Sequence, residues 1–168
     1  MMDLAQGKKY AKGIIAAIRP YCERVEIAGS ILRERPNVND IDLVVIPKDH
    51  AALVQRCKQR CRVRANGDQN LLLEMNNGVH VDIFIAQPKS RDLFIEQPSN
   101  WGSILLCRTG SREHNIYMVE RAKSLGLKWN PYVGVYDKDL NIIASETEED
   151  IFKALQLDFI PPQDRERR

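Results

Sequence analysis

The sequence predicts an α+β fold of two lobes, and three observations predict it. Segments of helical periodicity alternate with short apolar strands along the chain. The run "IDLVVIP" at 41–47 is almost continuously β-branched or apolar, the composition of an inner strand covered on both faces. A polar stretch with two prolines, "QPKSRDLFIEQPSN" at 87–100, then separates the strands from a second group of helices. The 168 residues, 43% hydrophobic, suffice for one ordinary core or for two small lobes sharing a hinge.

Each element has a local reason. Leu4, Tyr10, Ala11, Ile14, Ile15 and Ile18 recur at helical spacing, which predicts a helix ending before Pro20. "RVEIAG" at 24–29 reads as a short strand. "DHAALVQRCKQRC" at 49–61 opens on an aspartate in a capping position and reads as a helix. "LLLEMNNGVHVDIFIA" at 71–86 reads as a hairpin, with Asn76-Asn77-Gly78 supplying the turn. In "WGSILLCRTGSREHNIYMVERAKSLGL", at 101–127, two helices are interrupted at Thr109-Gly110-Ser111. Ser111 caps the second, and Gly126 stops it. "LKWNPYVGVYD" and "LNIIAS" read as short strands around a turn. "TEEDIFKALQL" reads as a final helix, with Thr147 and Asp150 spaced as in a capping box. The expected lobes are 1–98 and 99–168.

Composition narrows the class. No apolar run approaches the roughly 20 residues that span a bilayer, and "MMDLAQGKKY" has no secretory hydrophobic region. A cytoplasmic monomer, in a nucleoid or viral setting, is the expectation. Net charge is only +2, so any anionic partner must be met by local patches such as "GKKYAKG", "QRCKQRCRVR" and "DRERR". Of the four cysteines, Cys57 and Cys61 are four apart but lack the further ligands that structural zinc requires. Reduced thiols are expected.

The carboxylates raise the functional question. Strand residues two apart share a face, so Asp40 and Asp42 point one way, and Ile41 and Leu43 the other. On the later strand His80, Asp82 and Phe84 share a face. If the two strands are neighbours, three carboxylates share one face and must be compensated. Asp-x-Asp alone is common in turns and at strand ends, where it caps backbone amides. Here Gly29-Ser30 precedes it, with Arg33 between and nine residues separating Ser30 from Asp40. Gly29 permits close backbone approach, Ser30 can donate to a phosphate, and Arg33 can fork onto phosphate oxygens. Mg²⁺ prefers carboxylate oxygens together with phosphate, and two such ions are a usual device for in-line displacement at phosphorus.

Gly29-Ser30, Asp40-x-Asp42 and Asp82, in that order, resemble the signature of the polymerase-beta-like nucleotidyltransferases. With Arg33, the chain is similar to the family X DNA polymerases. "TGSREHN" at 109–115 resembles that family's thumb motif, and "EEDIFKALQLDFIPPQDRE" its closing helix and Pro-Pro-x-x-Arg-Glu finish. The resemblance implies a nucleotidyltransferase palm, a mixed sheet with flanking helices, over 1–98, and a small α/β thumb over 99–168. It implies transfer of deoxynucleotides from dNTP to a DNA primer 3′-hydroxyl, in short-gap or end filling during repair or replication. Two Mg²⁺ ions, replaceable by Mn²⁺, would be held by Asp40, Asp42 and Asp82. Gly29, Ser30, Arg33 and Asn39 would serve the triphosphate, while Cys107, Thr109, Gly110 and Asn115 would serve sugar and base. His80 shares a face with Asp82 and could either orient it or be a partly exposed strand histidine, and His114, beside Asn115, could either stack on the incoming base or pack the hinge. DNA, primer/template or gapped, is the implied partner, with a DNA-binding protein as a further one.

Several positions depart from the family pattern. Ile31 and Leu32 replace an aromatic and an arginine, and Asn39 replaces a glycine. Cys107-Arg108 stands for an aromatic pair, His114 for a phenylalanine, and Val119 and His80 for arginines. The same triad would also serve transfer to a protein, an RNA end or a small molecule, and the whole surface a non-catalytic DNA-end binder. The thumb-like motif favours DNA over the first three.

Overall fold

Asp3 begins the organisation of the first unit. It follows the two-residue strand β1 (Met2–Asp3) and caps α1 (Leu4–Ile18), its Oδ1 accepting from the Gln6 amide at 2.8 Å. The buried stripe of α1 is Gly7, Ala11, Ile14 and Ile18, and the helix stops ahead of Pro20. Then come β2 (Cys22–Ile27), the single turn α2 (Gly29–Leu32), β3 (Asn37–Val38) and β4 (Asp40–Pro47). Asp49 caps α3 (His50–Lys58), accepting from the Ala52 amide at 2.8 Å. Three strands finish the unit: β5 (Arg62–Asn66), β6 (Asn70–Glu74) and β7 (His80–Ile85). The structure, a computed structural model, describes residues 1–90, 92 and 96–167.

The five-stranded sheet runs β2-β4-β7-β6-β5. β4 and β7 are parallel, and the other pairs are antiparallel. The mixed sheet follows from connectivity: a tight turn at 76–78 makes β6–β7 antiparallel, whereas α3 and the β5–β6 pair intervene between β4 and β7. Ile41, Leu43 and Val45 of β4, Val81 and Ile83 of β7, and Leu71 and Leu73 of β6 enter one core with Ile14, Ile18, Leu53 and Val54. β4 is an inner strand, paired on both edges, with Leu43 to Ile46 all buried.

The helix expected to run to Cys61 ends at Lys58, and the chain turns through Arg60 and Cys61, both amides donating to the Cys57 carbonyl. The exposed edge strand β5 follows, absent from the sequence reading. Its only large apolar residue is Val63, so it gives almost no alternation signal.

The second compact unit comprises 86–168, and the first ends at Ile85. The units divide between Ile85 and Ala86, whereas the sequence placed the division after residue 98. The Gln87 amide donates to Asn100 Oδ1 at 2.7 Å, and Ser99 Oγ to the Gln87 carbonyl at 2.7 Å. Parts of the connection read at 87–100 lie outside the described residues. α4 (Trp101–Thr109) and α5 (Arg112–Ser124) break where expected, with Ser111 Oγ accepting from the His114 amide at 3.2 Å. Gly126 has φ +71° beyond the end of α5. The segment "LKWNPYVGVYD" is two strands, β8 (Lys128–Asn130) and β9 (Gly134–Tyr136), split by a turn in which Asn130 accepts from the Tyr132 and Val133 amides. β10 (Ile142–Ala144) completes a sheet of order β10-β9-β8.

Thr147 caps α6 (Glu148–Ala154), accepting from the Asp150 amide at 3.1 Å. Leu106, Met118, Ala122, Val135, Ile151, Phe152 and Leu155 form the second core. Gly102 is required where α4 crosses this region, because an added Cβ would overlap the Thr147 backbone.

Candidate active site

The first unit sets two carboxylates in register. β4 and β7 run parallel, with Asp42 opposite Asp82 and Asp40 opposite His80. The neighbouring Ile41, Leu43, Val81 and Ile83 are fully buried on the core side, which directs the three aspartates to the other face. The strand adjacency that the sequence left conditional is therefore present. Like charges directly opposite one another are unfavourable in a sheet.

Gly29 explains how the preceding turn fits. It has φ +61°, in the left-handed region that favours glycine, and a Cβ placed there would overlap the Asp42 carboxylate. The Ala28 amide donates to the Asp42 carbonyl at 2.9 Å, so the turn is also pinned to β4 through its backbone. Ser30 follows, and its Oγ is buried without a hydrogen-bond partner. Arg33 is half-buried at the end of α2, its amide donating to the Gly29 carbonyl at 3.1 Å, while Asn39 is exposed between β3 and β4.

The donor set suits a hard cation. Asp40, Asp42 and Asp82 offer carboxylate oxygens alone, and the orphaned Ser30 hydroxyl and an arginine lie beside them in the chain. Among the described residues no group of three or more His, Cys, Asp or Glu side chains is already gathered around one point. The three aspartates thus share one face without being gathered around a single point.

His80 Nδ1 lies 3.2 Å from Arg64 Nη1, which reaches it from two strands away in the sheet. Arg64 is the extra residue at an irregularity of β5, where the register shifts between Val63 and Ala65. It escaped the sequence reading with β5 itself.

The second unit presents the other group of residues. Thr109, fully buried, ends α4, and Gly110 follows with φ +67° and a cis peptide to Ser111. Asn115 Nδ2 donates to the Cys107 carbonyl at 2.8 Å, which ties the first turn of α5 to the end of α4. Asn115 Oδ1 is buried with no partner. Burial pushes the Cys107 thiol above its ordinary pKa, with Arg108 opposing weakly. His114, for which the sequence left base stacking and packing open, is fully buried. Its ring lies 5.8 Å from that of Phe152 and 6.3 Å from that of Tyr117, so it is a packing residue of this unit. Trp101 is 2% exposed, and Trp129 Nε1 donates to Ser103 Oγ at 2.9 Å; neither is a free platform.

Residues 104–166 match the family model of the DNA polymerase beta thumb. Two crystal structures of Leishmania infantum polymerase beta, a ternary P/T complex and a ternary gap complex, resemble the chain with TM-scores of 0.75. Identity is 16% and 15%. The likeness covers 98% of this chain in both cases, and 76% and 70% of those chains. No curated protein matches the sequence. The chain therefore shares the fold of these polymerase beta structures over nearly its whole length, and its residues 104–166 match the thumb model.

Proposed function

We propose that this chain catalyses metal-dependent transfer of a deoxynucleotide from a dNTP to the 3′-hydroxyl of a DNA primer, filling short gaps or ends. The observation that supports it most is the parallel register of Asp42 and Asp82, with Asp40 on the same face and Gly29 fitted against Asp42. A face bearing three carboxylates suits a hard cation and a triphosphate. The thumb match and the likeness to ternary polymerase beta complexes support DNA as the acceptor.

In this reading the primer O3′ attacks the α-phosphorus, a new phosphodiester forms, and pyrophosphate leaves. Asp40 and Asp42 would hold two Mg²⁺ or Mn²⁺ ions, and Asp82 would hold the one next to the primer hydroxyl. Bound there, the cations would make the hydroxyl more acidic and neutralise the leaving pyrophosphate. Ser30 Oγ would donate to a phosphate oxygen, and Arg33 would fork onto the β and γ phosphates. Thr109 and Gly110 would offer their backbone to the sugar. Asn115 would meet the base through Oδ1, since its amide NH₂ already serves Cys107.

Primer extension on gapped DNA with Mg²⁺ or Mn²⁺ tests the proposal. The wild type should incorporate dNTP, and Asp82→Ala should not. Equal incorporation by both proteins, or by neither, would sink it.

A further inference from the structure

We infer that the first unit carries a binding groove for a small amphiphile with an apolar body and a single carboxylate head. The groove lies between α1 and α3, on the core side of the sheet, opposite the aspartates. It encloses about 320 Å³, and its apolar wall includes Ile14, Ile18, Cys57, Leu73 and Met75. That volume is near the lower end, roughly 300 Å³, of sites that take one small molecule. A peptide helix would instead need anchors at i, i+4 and i+7, about 10 Å of continuous groove.

Charge selects the head group. Lys9, Arg56 and Arg60 line the same groove, and no carboxylate does. Arg56 is already held by the Ala17 carbonyl and by Gln59 Oε1, each at 3.1 Å. Lys9 and Arg60 are exposed and have no ion-pair partner among the described residues. An apolar recess ringed by unanswered cations complements one apolar body with one negative end.

The opening is kept by glycine. Gly13 lines the groove, sits mid-helix where glycine weakens α1, and has no atom within 4 Å of the place a Cβ would occupy. A side chain added there meets no neighbouring atom at its Cβ, so the groove wall can take one.

The test uses the full chain with 1-anilinonaphthalene-8-sulfonate as fluorescent reporter and decanoate as competitor. Cooperative unfolding of each variant is checked first, so that emission does not report a loosened core. Decanoate should displace the reporter, and decanol should compete poorly. Gly13→Phe, which fills the groove, and Arg60→Glu, which reverses its charge, should each weaken reporter and decanoate by about tenfold or more. Decanoate should also slow alkylation of Cys61, which lines the groove, and leave Cys107 unaffected, read by peptide mass spectrometry. Wild-type affinity in both variants would overturn the inference. So would equal competition by decanol, or displacement by an acidic peptide with apolar anchors where decanoate fails. None of these readouts depends on polymerase activity.

Discussion

Arg165 closes on Glu148 through two parallel hydrogen bonds, Nη1 to Oε1 at 2.8 Å and Nη2 to Oε2 at 3.2 Å, with its side chain wholly buried. Its Nε donates to the Ile160 carbonyl at 2.9 Å, and the guanidinium lies 5.5 Å from the ring centres of Phe152 and Phe159. Its own carbonyl accepts from Ser111 Oγ at 2.8 Å, so one residue joins the C-terminal turn to the start of α6 and the cap of α5. Removing one partner of such a pair strands a buried charge. Arg165→Ala should destabilise the second unit by about 3–5 kcal/mol, read by denaturant unfolding. A paired Arg165→Met, Glu148→Leu exchange should recover most of that loss, and equal instability of both proteins would refute the account.

Gly29→Ala is the sharpest probe of the aspartate face. The new methyl would overlap the Asp42 carboxylate at a backbone angle that disfavours any side chain. Extension should fall by about a hundredfold or more, the scale on which small displacements of catalytic groups act. Full activity in Gly29→Ala would contradict the role assigned to that turn.

The thiols give the first unit an alkaline limit. Burial first, and then Cys61 and Cys22 nearby, pushes the Cys57 thiol from its ordinary 9.0 up to about 12; burial pushes Cys22 to about 11. Both states hold the proton below pH 9, so this stability is complete there. Above pH 9 the unfolded chain releases the proton while the folded one retains it, and stability falls until the folded thiol ionises near pH 12. Each such group contributes a slope of up to about 1.4 kcal/mol per pH unit. Cys57→Ala should flatten the decline in unfolding free energy between pH 9 and 11, measured by urea titration.

Cys107 should make sugar selection permissive. A small half-buried thiol stands where the family-like pattern has an aromatic, and its carbonyl is tied to Asn115. The dNTP to rNTP ratio of kcat/KM should stay well below about a thousandfold, or about 4 kcal/mol. Cys107→Tyr should raise it, and a ratio already near a thousand in the wild type would refute this expectation.

Much of the fold was legible because local signals agreed with tertiary ones. Asp49, Ser111 and Thr147 all cap the helices that their spacing announced, and Asn76-Asn77-Gly78 forms the turn between β6 and β7. Strand β5 was not legible, since an exposed edge strand has few apolar positions to alternate. The length of α3 was overread for a related reason: polar residues past Lys58 suit a helix surface as well as a turn.

By itself the sequence determined which carboxylates share a strand face, because side chains on a strand alternate with period two. It also determined where a glycine must precede them. Only the tertiary structure decided that β4 and β7 are parallel neighbours, placing Asp42 opposite Asp82, since strand pairing depends on contacts remote in the chain. It likewise turned His80 toward Arg64 and buried His114 against Phe152. It joined Arg165 to Glu148 across seventeen positions of chain. Partners of that kind are chosen by packing and charge in space, which no local pattern encodes.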